Sequence, residues 1–316
     1  MTAQKWKIVF MGTPEFSVPA LEALIYEEDV IAVYTQPDRP SGRGQKPTAP
    51  PIKVLAEKHK IPCYQPTRLK DTYEIQKLKS LAPDLIIVVA YGLFLPAEIL
   101  NIPKHRCINI HPSLLPKYRG AAPMQWALIH GDAQTGVSIV YVTPKMDAGD
   151  ILMQRTLSIR EEDTLETLHD QLSKLGAKLL IKTVHELKKE SLRPVPQDEK
   201  KVTLAPKLSK ELSLIHWDQP AHEIFNLIRG THPWPGTYTY VDQEPLKIHA
   251  SKIMHESFQG TPGKIHTITK EGITVETGRG LLLLTEVQKP NKKKMSAWDF
   301  TKGNPLKKGE ILGKKP

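Results

Sequence analysis

The chain has little sulfur and few rings. Its 316 residues include two cysteines, Cys63 and Cys107, and only 6% are aromatic. Two cysteines with no Cys-x-x-Cys pair and no histidines at matching spacing argue against a disulfide framework and a zinc site. Both are read as interior thiols, and no metal is expected. No apolar run approaches membrane-spanning length, and the N-terminal residues lack a long apolar segment with a small-residue cleavage site. The protein is therefore expected in the cytoplasm, with no membrane partner. The turn Gly12-Thr13-Pro14-Glu15-Phe16 has neither Gly-x-Gly-x-x-Gly nor a Gly-Lys-Ser/Thr ending, which argues against a phosphate loop. Its glycine is read as a tight strand-to-helix turn.

What is present suits two domains of ordinary size, with 40% hydrophobic residues, a net charge of +10 and a pI near 9.3. The charge is uneven. Residues 1–199 carry a net +2 and residues 200–316 a net +8, so the excess lies in the C-terminal part. A polyanionic partner is expected there, although a lysine-rich solvated surface would give the same count.

Short apolar runs at 7–12, 30–34 and 84–91 alternate with helical patterns at 18–25, 52–60 and 74–81. Almost wholly apolar strands alternating with helices predict a mostly parallel, Rossmann-like α/β sheet covered on both faces. Its ligands should sit at the carboxyl ends of the strands, where Tyr91 and Gly92 lie. The loop 36–51 is dense in Pro and Gly and holds Arg39, Arg43 and Lys46, which is long for a routine connection. Glycines flank Arg43, so its guanidinium is free to reach a phosphate or a base edge. A mobile surface loop is the competing reading.

The centre of the chain is 107–120, where Asn109 and His111 stand two apart in an apolar run. In a strand, both side chains share one face. Pro112 holds His111 extended, and Ser113-Leu114-Leu115-Pro116 leaves the strand as a stiff turn. Asp147, in a Gly-containing turn after the strand-like 137–142, is expected beside His111, fixing its tautomer or raising its pKa. A helix at 123–130, a strand at 151–159 and a helix at about 164–190 follow. His169 and His185 in that helix are read as incidental. Residues 191–210 have linker composition, rich in Pro and Lys. After a helix at 221–229, short strands at 237–241, 246–253, 263–268, 272–277 and 281–287 predict a small OB-like β-barrel. Lys292, Lys293 and Lys294 stand together in a loop beyond it. The expected division is therefore a catalytic domain at 1–190, a linker at 191–210 and a basic domain at 211–316.

In order, Asn-x-His-Pro-Ser-Leu-Leu-Pro, then Tyr-Arg-Gly, then Asp-x-Gly resembles the signature of the folate-dependent formyltransferases, and the likeness extends over nearly the whole chain. It implies catalytic positions at Asn109, His111 and Asp147, and a folate-binding turn at Ser113, Leu114, Leu115 and Pro116, with Tyr91 and Gly92 nearby. The implied donor is 10-formyltetrahydrofolate. The Arg-bearing loop, His232-Pro233-Trp234-Pro235-Gly236 and the basic barrel resemble the branch of the family whose acceptor is initiator methionyl-tRNA. On that likeness Arg43 and Lys46 contact tRNA; Arg39 in the same loop and the clustered Lys292 to Lys294 are expected to join them by position and charge, and a monomer is expected. The residues suit the chemistry in their own right. A neutral amine attacks the formyl carbon, negative charge develops on its oxygen, and no protein nucleophile is required. Protonated His111 and the Asn109 amide would stabilise that oxygen, with Asp147 keeping His111 charged. A formyltransferase for a small amine, or a formyltetrahydrofolate hydrolase, would use the same three residues. A non-catalytic RNA-binding protein would account for the charge but leave those three as coincidence.

Overall fold

Four apolar strands build the centre of the first unit. Lys7–Gly12, Asp29–Tyr34, Leu85–Val89 and Cys107–His111 pair in parallel, and Val9, Ile86, Ile87 and Ile108 on them are fully buried. Such strands are made for a sheet covered on both faces. The computed structural model describes residues 4–41 and 46–313. The complete sheet runs Ile151–Ser158, Gln134–Tyr141, Cys107–His111, Leu85–Val89, Lys7–Gly12, Asp29–Tyr34, Cys63–Tyr64. Gln134–Tyr141 lies antiparallel to Cys107–His111 and sets Ser138 opposite His111. Leu78 of the helix Thr72–Leu81 packs with Val9, Ile86 and Cys107 on one face. On the other, Ile110 approaches the helix Leu165–Lys188 at Gly176, where an added Cβ would lie 3.0 Å from it. The chain order reverses between Lys7–Gly12 and Leu85–Val89, so the strand ends carrying His111 and Gly92 border the crevice typical of such sheets.

By packing, the first unit comprises Met1–Gly120, Thr135–Ser158 and His169–Leu204, and the second Ala121–Gln134, Ile159–Leu168 and Ala205–Pro316. Linker composition at 191–210 therefore conceals structure. Val195 bridges Ile151, exchanging backbone hydrogen bonds of 2.8 and 2.9 Å, and the stretch to Leu204 belongs to the first unit. Pro and Lys report exposed side chains there and say nothing of the backbone pairing beneath them. The loop 36–51 likewise contains a short antiparallel ladder between Arg39–Ser41 and Lys46–Thr48.

The second unit is an antiparallel β-domain, as the spacing predicts. Its strands run Thr237–Val241, Glu244–His255, Leu281–Gln288, Gly272–Glu276, Ile265–Thr269, and Met295–Ser296 joins Leu281–Gln288. Trp217, Ile224, Ile273, Leu282, Leu284 and Phe300 form its core. The helix Ala221–Thr231 contributes Ile224 and Ile228 to it. The helix Ala297–Gly303, which has no obvious period in the sequence, is capped by Ser296, whose Oγ accepts from Asp299 N at 3.0 Å.

Candidate active site

His111 ends its strand almost enclosed, with 4% of its surface exposed. Its Nε2 donates to the Tyr118 carbonyl at 2.9 Å, which leaves Nδ1 as the nitrogen that can gain or lose a proton. Nδ1 faces Asp147 Oδ1 at 3.6 Å, an electrostatic contact too long for a hydrogen bond. Burial pushes the imidazole below its ordinary pKa, while the Asp147 charge and the Tyr118 carbonyl pull against it. This corrects two expectations. Tyr118, not Asp147, selects the tautomer, and Asp147 does not hold the resting ring charged, because desolvation outweighs its attraction.

Asp147 is fixed independently of His111. Its Oδ2 accepts from Gly120 N at 2.9 Å, and its backbone is left-handed at φ 50°. Tyr118 is also left-handed, at φ 63°. For side-chain-bearing residues such conformations cost of order 1–3 kcal/mol and persist only where neighbours over-determine them. Gly149 closes the Asp147 turn because nothing larger fits: an added Cβ would lie 1.8 Å from Tyr141 O. Asn109, half-buried on the same strand face as His111, makes no side-chain hydrogen bond among the described residues. Its amide is available to a ligand.

The turn after the strand is braced from within. Ser113 is fully buried and donates its hydroxyl to Lys117 O at 2.6 Å, so this side chain shapes the turn instead of presenting itself outward. Ser138 Oγ donates to Ser113 O at 2.6 Å and accepts from Leu115 N at 3.0 Å and Gln154 Nε2 at 2.8 Å. Gln154 also reaches Leu115 O at 2.8 Å. The backbone of Leu114, Leu115 and Pro116 is thus held as a ledge. The Tyr91 ring is directed into the core with Val9, Met11 and Tyr34, and burial holds its phenol above the usual range. Its carbonyl is tied by Thr13 Oγ1 at 2.9 Å, and Gly92 turns the chain at φ 87°.

Of the residues expected to meet tRNA, Arg39 is exposed and donates to Gln36 Oε1 at 3.0 Å, whereas Arg43 lies outside the described residues. Lys46 is placed by its backbone in the short ladder. Lys292 and Lys293 are exposed, and Lys294 pairs with Glu286 at 3.3 Å. Sequence reading missed Tyr118, Ser138, Arg119 and Gln197. Arg119 is buried, and its Nε and Nη2 donate to Gln197 Oε1 at 3.0 and 2.9 Å. The Tyr-Arg-Gly triplet was the one available signal for Arg119. A glutamine in a Pro- and Lys-rich stretch offered none.

A Rossmann-like sheet with a buried imidazole, a carboxylate and a free amide at a strand's carboxyl end defines an α/β enzyme that moves protons and small groups. Comparison with known families makes the class specific. Residues 6–184 match the family described as Formyl transferase, and residues 207–305 match its C-terminal domain. The chain belongs to the formyl transferase family. It is 46% identical over 308 residues to a protein of Alkaliphilus oremlandii named methionyl-tRNA formyltransferase, covering 97% of this chain and 99% of that one. It is also 46% identical over 307 residues to one of the same name from Clostridium acetobutylicum, with coverage of 97% and 99%. Among solved structures, the N-formyltransferase of Helicobacter canadensis in complex with folinic acid and dTDP-3-aminofucose is similar at TM-score 0.69 and 18% identity, covering 90% of this chain and all of that one. HypX of Aquifex aeolicus in complex with tetrahydrofolic acid is similar at TM-score 0.63 and 18% identity, covering 99% of this chain and 51% of that chain. These two likenesses concern the fold.

Proposed function

We propose that the protein transfers the formyl group of 10-formyltetrahydrofolate to the α-amino group of initiator methionyl-tRNA, as a monomer in the cytoplasm, supplying N-formylmethionyl-tRNA for translation initiation. The near-full-length relatives named methionyl-tRNA formyltransferase support the substrate pair. The observation that carries the chemistry is His111, buried, with Nε2 committed to Tyr118 and Nδ1 facing Asp147 at 3.6 Å.

The folate is a substrate of this reaction, consumed at each turnover. As the neutral amine attacks the formyl carbon, negative charge gathers on the formyl oxygen. The unpartnered Asn109 amide donates to it, and one such preorganised donor is worth roughly 3–4 kcal/mol. His111 enters neutral, the form its burial favours, and takes the amine's proton on Nδ1. The imidazolium so formed is stabilised by Asp147 on one side and Tyr118 O on the other. It then returns the proton to the folate nitrogen as the carbon–nitrogen bond breaks. The ledge at 113–116 and the turn at Tyr91 and Gly92 border the donor, and their rigidity keeps the formyl carbon facing the amine. Arg39, Arg43, Lys46 and the lysines at 292–294 supply positive charge for the tRNA backbone.

The test is single-turnover transfer from labelled 10-formyltetrahydrofolate to methionyl-tRNA, free methionine or glycinamide ribonucleotide, at low and moderate salt. Salt-sensitive transfer to methionyl-tRNA alone is expected. Transfer only to a small amine, or hydrolysis alone, overturns the tRNA assignment.

A further inference from the structure

We propose that residues 195–203 form a positioning strap, in which Gln197 and Thr203 set the two partners of the His111 ring and so determine its working tautomer and pKa. The proposal rests on the formyl-transfer reading of His111 and Asp147. Gln197 Nε2 donates to Asp147 O at 2.8 Å and to Gly149 O at 2.7 Å, gripping the catalytic turn on both sides of Ala148. Gln197 Oε1 accepts both Arg119 bonds, so its two donor hydrogens and two acceptor sites are all used. No other side chain offers two donors and two acceptors at that reach. Glutamate would set an anion against two carbonyls, and methionine keeps the length while losing every bond.

At the other end, Thr203 Oγ1 accepts from Tyr118 N at 2.8 Å, and Thr203 O accepts from Arg119 N at 2.9 Å. Tyr118 O in turn receives the His111 Nε2 proton. The two left-handed residues flanking the imidazole, Tyr118 and Asp147, are therefore tied to the same short stretch of chain. Glu199 completes the strap. Its Oε1 accepts from Arg119 Nη2 at 2.8 Å and its Oε2 from Lys145 Nζ at 2.9 Å, and these cations pull its carboxyl down to about 2. It stays ionised at neutral pH. Coupling through shared hydrogen bonds of this kind holds a reacting group within tenths of an ångström, and a 1 Å misplacement costs about a hundredfold in rate.

The groups acting on His111 are the Asp147 carboxylate on one side and the Tyr118 carbonyl dipole on the other, while the Arg119 guanidinium is bonded to Gln197 and Glu199. Releasing the turn from Gln197 leaves the Asp147 carboxylate tied by Gly120 N alone and lets it drift from the ring, so its pull on the ring's pKa weakens and the ring should titrate lower. We would measure Gln197→Met, Gln197→Glu, Thr203→Val and Thr203→Ser beside wild type. The readouts are kcat and KM for both substrates, the acid limb of kcat/KM, and 15N shifts of the His111 ring without substrate, after a melting curve confirms folding. The strap predicts a fall in kcat of about ten- to a hundredfold in Gln197→Met, with KM changed less than about threefold. It further predicts a downward move of the acid limb and of the 15N titration midpoint, a smaller loss in Thr203→Val and near wild-type behaviour in Thr203→Ser. Unchanged kcat in a folded Gln197→Met, or a loss with an unmoved 15N midpoint, overturns it. Wild type failing to formylate methionyl-tRNA would instead overturn the substrate reading, and the 15N titration would still decide the strap.

Discussion

The two units use their polar groups in opposite ways. In the first, the decisive groups are inside and each has its own assigned neighbours: His111 with Tyr118 and Asp147, Arg119 with Gln197 and Glu199, Ser138 with the turn at 113–116. In the second, the core cluster is apolar, built from Ile224, Leu284, Phe300 and their neighbours, buried polar groups such as Thr239 and Glu276 bond within the fold, and much of the positive charge lies on exposed lysines. Chemistry needs groups that cannot be exchanged, whereas phosphate attraction needs only enough charge. Single substitutions should therefore be decisive in the first unit and graded in the second.

The sharpest test of that contrast is His111→Ala, for which a loss of about 10²–10⁴ in kcat is expected, with KM for either substrate nearly unchanged. Steady-state kinetics check it, and near wild-type turnover would break the contrast at its strong end. Next comes the core of the β-domain. Leu284→Ala should cost about 2–5 kcal/mol by denaturant unfolding, because Leu284 is fully buried. Folded enzyme carrying it should retain catalysis, since its loss is of stability and not of chemistry.

A third expectation concerns pH. Because burial lowers the His111 pKa, the folded protein binds fewer protons at this ring than the unfolded chain. Stability should fall as pH drops below the ordinary histidine value near 6.5, and kcat/KM should fall at lower pH still as the ring charges. Glu199, held to about 2, does not account for that limb. Asp147→Asn should shift the limb further down, since it removes the carboxylate that favours the charged ring. An upward shift would contradict the sign. The smallest effect belongs to the lysines. Lys292→Ala and Lys293→Ala together should lower tRNA affinity a few-fold and reduce the log–log salt slope by about one unit per lost phosphate contact. Larger losses would mean that these residues act as specific contacts and not as replaceable charge.

The parallel sheet was legible because its strands are continuous apolar runs, and the β-domain because its strands alternate between turns. Asn109 and His111 were legible because a two-residue spacing on a strand fixes their shared face. What escaped depends on backbone geometry and on competing energies. The left-handed turns at Tyr118 and Asp147 have no residue signature. The strap at 195–203 is hidden by its Pro- and Lys-rich composition, and Gln197 acts through carbonyls that no sequence displays. For His111 the sequence showed the attraction of Asp147 but not the burial that outweighs it. Both act on the same ring, and only the structure ranks them.

The account stands on His111 and Asp147 acting as one proton-handling unit. Single-turnover rates for His111→Ala, Asp147→Asn and the double variant test this most directly. The account predicts that the double variant is slower than His111→Ala by no more than about twofold, because the carboxylate has nothing left to assist. If instead the two losses multiply, Asp147 works independently of the ring, and the proton path through His111 Nδ1 is wrong.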